Sequence, residues 1–144
     1  MAEILKISDA ASLGLHAMAY LASVPEGEPA SAGEMARQLG VSEAHLAKVM
    51  QRLSQAGLTR SKRGPRGGFV LAKRPEEITL LDIYEAIEGP LRQRECLLGR
   101  PVCRSKCILG GLMGELHEKV YSHFSRTLLS DFTLPLPIGA EGSK

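Results

Sequence analysis

Tryptophan is missing from this chain of 144 residues, and aromatic side chains make up only 4% of it. A core built from it must be aliphatic, and a platform of stacked rings for single-stranded nucleic acid is not expected. Long apolar runs are missing too. No uncharged stretch reaches the ~20 residues that a membrane-spanning helix needs. The opening MAEILKISD has no basic segment followed by an apolar one, so no secretory signal is expected. Cysteine is scarce, with three residues, an odd count that fits poorly with a secreted disulfide framework. The expected compartment is the cytoplasm, where such thiols stay reduced or hold metal. Phosphate loops, nucleophile elbows and paired catalytic acids are also missing. These absences point away from an enzyme.

What is present is an uneven distribution of charge. The net charge is only +2, but from Ser42 to Pro75 there are eight basic residues against the single acid Glu43. The basic residues are Lys48, Arg52, Arg60, Lys62, Arg63, Arg66, Lys73 and Arg74. From Glu76 to Glu95 six acids face Arg92 and Arg94. A basic stretch bounded by acidic ones makes a local anion-binding face.

Cap and breaker residues divide the chain into short elements. Ser8 caps a first helix that carries Leu13, Ala17, Tyr20, Leu21 and Val24 on one stripe, before Pro25, Gly27 and Pro29 break it. Ser31 and Glu34 fit a capping box that opens a short helix ending at Gly40. Ser42 caps the next helix, which ends at Gly57. Leu46, Val49, Met50 and Leu53 recur at helical spacing there, so one face is buried and the other is polar. LTRSK and FVLAK then read as two strands joined by the turn RGPRGG. Thr79 and Asp82 form a second capping box, with Ile78 and Ile83 as its hydrophobic staple, on a fourth helix that ends at Gly89-Pro90.

Periodicity lapses from Leu91 to Cys107 and returns in a long last helix from about Ile108 to about Leu129. Gly110, Gly111 and Gly114 weaken its start. Its seam of Leu112, Leu116, Val120 and Phe124 favours a partner helix and hence a homodimer, because a lone helix cannot bury such a stripe. The expected fold is mainly α with a small β-hairpin: a winged helix-turn-helix plus a long C-terminal dimerisation helix. The expected organisation is a DNA-binding unit over 1–90, a cysteine loop over 91–107, the dimerisation helix over 108–130 and a disordered Pro/Gly-rich tail over 131–144.

A helix-turn-helix lays its second helix in the major groove, N-terminal residues on base edges. Ser42, His45 and Lys48 are the first candidates for reading double-stranded DNA, with Gln51 and Arg52 further along. Gln suits adenine, and Arg or Lys suits guanine. Arg63 and Arg66 at the wing tip are placed for the minor groove or phosphates. Lys62, Lys73 and Arg74 suit phosphates, which position a protein without reading sequence. Cys96, Cys103 and Cys107 follow a C-x6-C-x3-C spacing among Arg100, Arg104 and Lys106. Nearby cations favour the thiolate, the form that ligates metal. The residues leave open a metal site (zinc included), a Cys103–Cys107 disulfide switch, or structural cysteines in a regulator governed by a protein or small-molecule partner.

The stretches ISDAASLGLHAMAYLA and GLTRSKRGPRGGFVLAKRPEEITLLDIYEAIEGPL, on either side of the helix-turn-helix, resemble the Rrf2 family of transcription regulators. The resemblance spans roughly Ile7 to Leu129, and RGPRGGFVLA followed by EEITLLDIYEAIEG is its most specific part. The family usually has Gly where this chain has Arg66. The resemblance implies a homodimer whose C-terminal helices cross, acting as a repressor. It also implies an iron–sulfur cluster, of 4Fe–4S or 2Fe–2S type, held by Cys96, Cys103 and Cys107 and lost on preparation in air. Asp9 matches the position that supplies a fourth ligand from the other subunit in some members; a plain partner for the helix dipole is the alternative. The family spaces its cysteines more evenly, so the cluster geometry does not carry over directly.

Overall fold

The computed structural model describes residues 7–92, 96, 98, 102–103 and 106–132. Among them are the helices α1 (Asp9–Ser23), α2 (Ala32–Leu39), α3 (Glu43–Gln55), α4 (Leu80–Glu88) and α5 (Leu112–Arg126). A two-stranded hairpin, β1 (Thr59–Lys62) with β2 (Gly68–Leu71), lies between α3 and α4. Of the tail expected over 131–144, Asp131 closes a short 3-10 turn (Leu129–Asp131), and residues 133–144, with much of the cysteine loop, fall outside the described residues.

The caps act as local stop and start signals. The hydroxyls of Ser8, Ser31 and Ser42 accept from the N–H groups of Ala11, Glu34 and His45, each satisfying a donor that has no partner inside its helix. Thr79 and Asp82 bond reciprocally at 3.0 Å, closing the box at the head of α4. Gly40 ends α2 in the left-handed conformation (φ 68°, ψ 37°), and its N–H and that of Val41 both return to the Ala36 carbonyl. A side chain there would be strained. This tight reversal sets α2 against α3.

The core lies where α1, α3 and α4 meet. Met18, Met35, Leu46, Met50, Leu53, Ile78 and Ile83 are all fully buried within it. Each such side chain contributes about 1.5–3 kcal/mol on leaving water. Ile78 and Ile83, the expected staple, are both 0% exposed. Tyr20 is the core's polar edge: burial first, then the Glu34 carboxylate, push its phenol above the usual value, with Arg37 opposing.

The hairpin registers Thr59 with Leu71 and Lys62 with Gly68. It is fastened to the rest by an antiparallel bridge from Phe69 to Ala30, whose two backbone bonds are 3.0 and 2.8 Å. Gly68 is required at that seam, because a Cβ on it would lie 2.5 Å from the Ala30 carbonyl carbon and oxygen.

The last helix is shorter than the span of about Ile108 to about Leu129 expected for it. Residues 108–111 form turns, and α5 stops at Arg126. The chain then folds back on the domain: Leu80 N–H donates to the Thr127 carbonyl, and Leu129 N–H to that of Ile78 at 2.7 Å. Leu129 is 1% exposed. The physical reason is that Leu128 and Leu129 gain more from a backbone bridge to Thr79 and a place in the core than from another exposed helical turn. Among the described residues no helix is long and apolar enough to cross a membrane.

Candidate nucleic-acid interface and cysteine loop

Helix α3 divides cleanly. Leu46, Val49, Met50 and Leu53 are buried, while Ser42, His45, Lys48, Gln51 and Arg52 are exposed. The inner face is fixed by packing, so the outer face is presented at a fixed angle. Ser42 does double duty as the N-cap, which ties its hydroxyl to the His45 N–H at 3.3 Å. Lys48 and Gln51 stand exposed one turn further along.

Not all the basic residues stand free. Arg63 and Arg66 are exposed at the wing tip, where Gly67 N–H closes the turn on the Gly64 carbonyl at 2.9 Å. Lys62 Nζ instead donates to the Gly27 carbonyl at 2.8 Å, so it pins β1 to the α1–α2 connection. Arg74 lies 4.0 Å from Glu76 and 3.5 Å from Glu77, in exposed pairs that contribute little. Arg52 donates from a guanidinium nitrogen to the Ile87 carbonyl at 3.1 Å. Lys73 is exposed. Of the cations in and beside the wing, Arg60, Arg63, Arg66 and Lys73 therefore have the most freedom to meet phosphate. Sequence spacing could not have revealed the Arg52 and Lys62 bonds, because each partner lies 35 residues away along the chain.

Asp9 is exposed in the first turn of α1. It borders a groove of about 510 Å³ between α1 and the helix-turn-helix, shared with His16, Val41, Ser42 and His45. His16 Nδ1 is bonded to the Ser12 carbonyl at 2.7 Å. Sequence reading missed this groove, since it brings together residues from three elements.

In the cysteine loop, Cys103 and Cys107 are exposed and Cys96 is half-buried. Large apolar neighbours are exposed as well: Leu98 69%, Val102 56% and Ile108 93%. The cations Arg100 and Arg104 lie outside the described residues, while Lys106 is exposed. Three thiols are a donor set that suits an iron–sulfur cluster or zinc. Among the described residues, however, no three His, Cys, Asp or Glu side chains converge to hold a metal. A single chain thus offers the donors without gathering them, and Asp9 stands at the head of α1.

On α5 the expected dimer seam splits. Leu112 is exposed at 44%, and Leu116 and Val120 are half-buried. Phe124 turns inward, its ring 5.6 Å from that of Tyr84 in the same chain. Tyr121, 43% exposed, stacks on His117 on the outer side.

Comparison with known proteins agrees with this architecture. The model of the Rrf2 family, described as "Iron-dependent Transcriptional regulator", matches residues 7–134. A protein of Aquifex aeolicus (strain VF5) assigned as an HTH-type transcriptional regulator is 35% identical over 128 residues, covering 86% of this chain and 88% of its own. The structure of CymR, the global cysteine regulator of B. subtilis, superposes with a TM-score of 0.74 at 32% identity, over 88% of this chain and 95% of that one. T. potens IscR superposes with a TM-score of 0.71 at 27% identity, over 88% and 85% of the two chains. The helix-turn-helix and hairpin are a winged helix, the protein is a regulator rather than an enzyme, and the chain belongs to the Rrf2 family of transcriptional regulators.

Proposed function

We propose that this protein is a homodimeric repressor whose grip on double-stranded DNA follows the chemical state of its three-cysteine loop. The observation that carries the DNA half is the division of α3, with four apolar side chains locked in the core and Ser42, His45, Lys48 and Gln51 turned outward. Lys48 and Gln51 supply donors and acceptors for base edges, and Arg63, Arg66 and Lys73 supply phosphate contacts. Leu112, Leu116 and Val120 form the dimer seam, as the part of α5 that its own domain leaves uncovered. Phe124, packed on Tyr84, supports that seam from behind.

The sensing half rests on the loop. Cys96, Cys103 and Cys107 would hold an iron–sulfur cluster as thiolates, with Asp9 of a second copy as the fourth ligand. When bound, such a cluster supplies sensitivity to oxygen, nitric oxide or iron supply. The family's description as iron-dependent and the likeness to IscR support this reading. A second reading uses no metal: Cys103 and Cys107 are exposed, four positions apart, and the chain is similar to a regulator named for cysteine.

Anaerobic purification with iron, sulfide and visible-absorption assays separates the two. Colour with stoichiometric iron and sulfide supports the cluster. Colourless protein whose DNA affinity falls on oxidation, with recovery by thiol reductant, supports the switch. Equal DNA affinity in every state of the cysteines would sink both.

A further inference from the structure

The last turn of α4 is bonded to two other elements at once. Arg52, in the final turn of α3, donates to the Ile87 carbonyl at 3.1 Å. The hydroxyl of Ser8, the cap of α1, donates to the Glu88 carboxylate. Between these bonds the Ile87 side chain is 7% exposed and wedged where α1 meets α3: a Cβ on Gly14 would lie 3.2 Å from Ile87 Cγ1 and 3.6 Å from Val49 Cγ1. The chain then turns at Gly89, and the Glu85 carboxylate accepts from Leu91 N–H at 2.8 Å. Cys96 follows five residues later.

A carbonyl in the last turn of a helix has no partner within that helix, and a cation there meets the negative end of the helix dipole. Arg52 satisfies both demands. Though the residue is exposed, its guanidinium therefore has one nitrogen committed to the exit of α4.

We propose that Arg52 is a positioning residue for DNA recognition: it sets α3 against the exit of α4 and does not contact phosphate. With the Ser8–Glu88 bond it makes that exit the junction through which the cysteine loop acts on the recognition helix. This second half rests on the loop-sensing reading above; the first does not.

The test uses the full chain and a duplex that the wild-type protein selects from a random pool. Affinity is measured between about 50 and 200 mM salt, where a lost phosphate contact makes the log–log slope shallower by about 0.9. Arg52→Ala is expected to bind the selected duplex about tenfold more weakly, with the slope unchanged and binding to an unrelated duplex unaffected. Arg52→Gln, which keeps an N–H donor without the charge, is expected to recover part of the loss. If Arg52→Ala melts too low to assay, Arg52→Gln carries the same slope comparison. A shallower slope, equal loss on both duplexes, unchanged affinity, or unaltered hydrogen exchange of the Gly89 and Leu91 amides in DNA-free Arg52→Ala, the outcome a lost base contact would give, overturns the positioning role. The same titrations are repeated with the thiols free and alkylated. Arg52→Ala is expected to shrink the wild-type affinity ratio towards one. A ratio preserved in Arg52→Ala overturns the junction. A ratio of one in the wild type overturns the sensing reading and the junction with it, and the positioning role is then judged by the slope and the amide exchange alone.

Discussion

Leu46 and Ile108 are both large aliphatic side chains, yet one is 0% exposed and the other 93%. They represent two regions with different rules. Between Asp9 and Glu88, apolar residues recur at helical spacing, caps and glycines end each helix on time, and the stripes close on one another. Between Leu98 and Leu112, four large apolar side chains (Leu98, Val102, Ile108 and Leu112) are 44–93% exposed. Similar hydrophobicity gives a core in one region and an open surface in the other. The difference lies in whether the spacing lets apolar side chains meet each other within the chain. The winged helix is thus complete as a fold, while Cys103 and Cys107 lie exposed among apolar neighbours that the chain also leaves exposed.

Substitutions can break or sharpen this contrast. The largest effect is expected from Leu53→Ala, at a fully buried position of α3. Loss of transfer energy plus the remaining cavity should cost about 2–5 kcal/mol, read by urea unfolding. Ile108→Ala in the open region should cost less than about 0.5 kcal/mol by the same measurement, as surface changes do. A comparable loss at both sites would break the contrast. Next is Gly68→Ala, where a methyl would press on the Ala30 backbone. About 1–3 kcal/mol should be lost, and the Phe69 and Ala30 amides should exchange hydrogen faster as the seam parts.

Ser31→Ala removes the cap of α2 and should cost about 1 kcal/mol, seen as a lower melting temperature with intact DNA specificity. Smallest in stability is Arg66→Gly at the exposed wing tip. It should leave the melting temperature in place and make the salt slope of DNA binding shallower by about 0.9. An unchanged slope would show that Arg66 meets no phosphate.

Much of this molecule could be read one residue type at a time. The caps at Ser8, Ser42 and Thr79 and the stop at Gly40 depend on atoms within a few positions and act as expected, while at Ser31 only the hydroxyl's half of the box expected with Glu34 is seen. The outward residues of α3 followed from the inward ones by helical period. The C-terminal helix was harder. The sequence carries the expected helix on to about Leu129, but a backbone bridge from Leu128 to Thr79, 49 positions earlier, draws the chain out of the helix. Phe124 has the spacing of a dimer contact and meets Tyr84 instead.

The sequence by itself determined the order of elements, the helix boundaries up to α4, the buried stripe of α3, the wing and the presence of three thiols in one short segment. Those features are local, set by caps, backbone conformation and periodicity within a few turns. The tertiary structure alone decided which basic side chains are spoken for. Arg52 and Lys62 look like every other cation in the basic stretch until folding carries them to carbonyls 35 residues away. It also decided that, among the described residues, Cys96, Cys103 and Cys107 are not gathered into one group within a single chain, because ligand convergence is set by tertiary contacts and not by spacing.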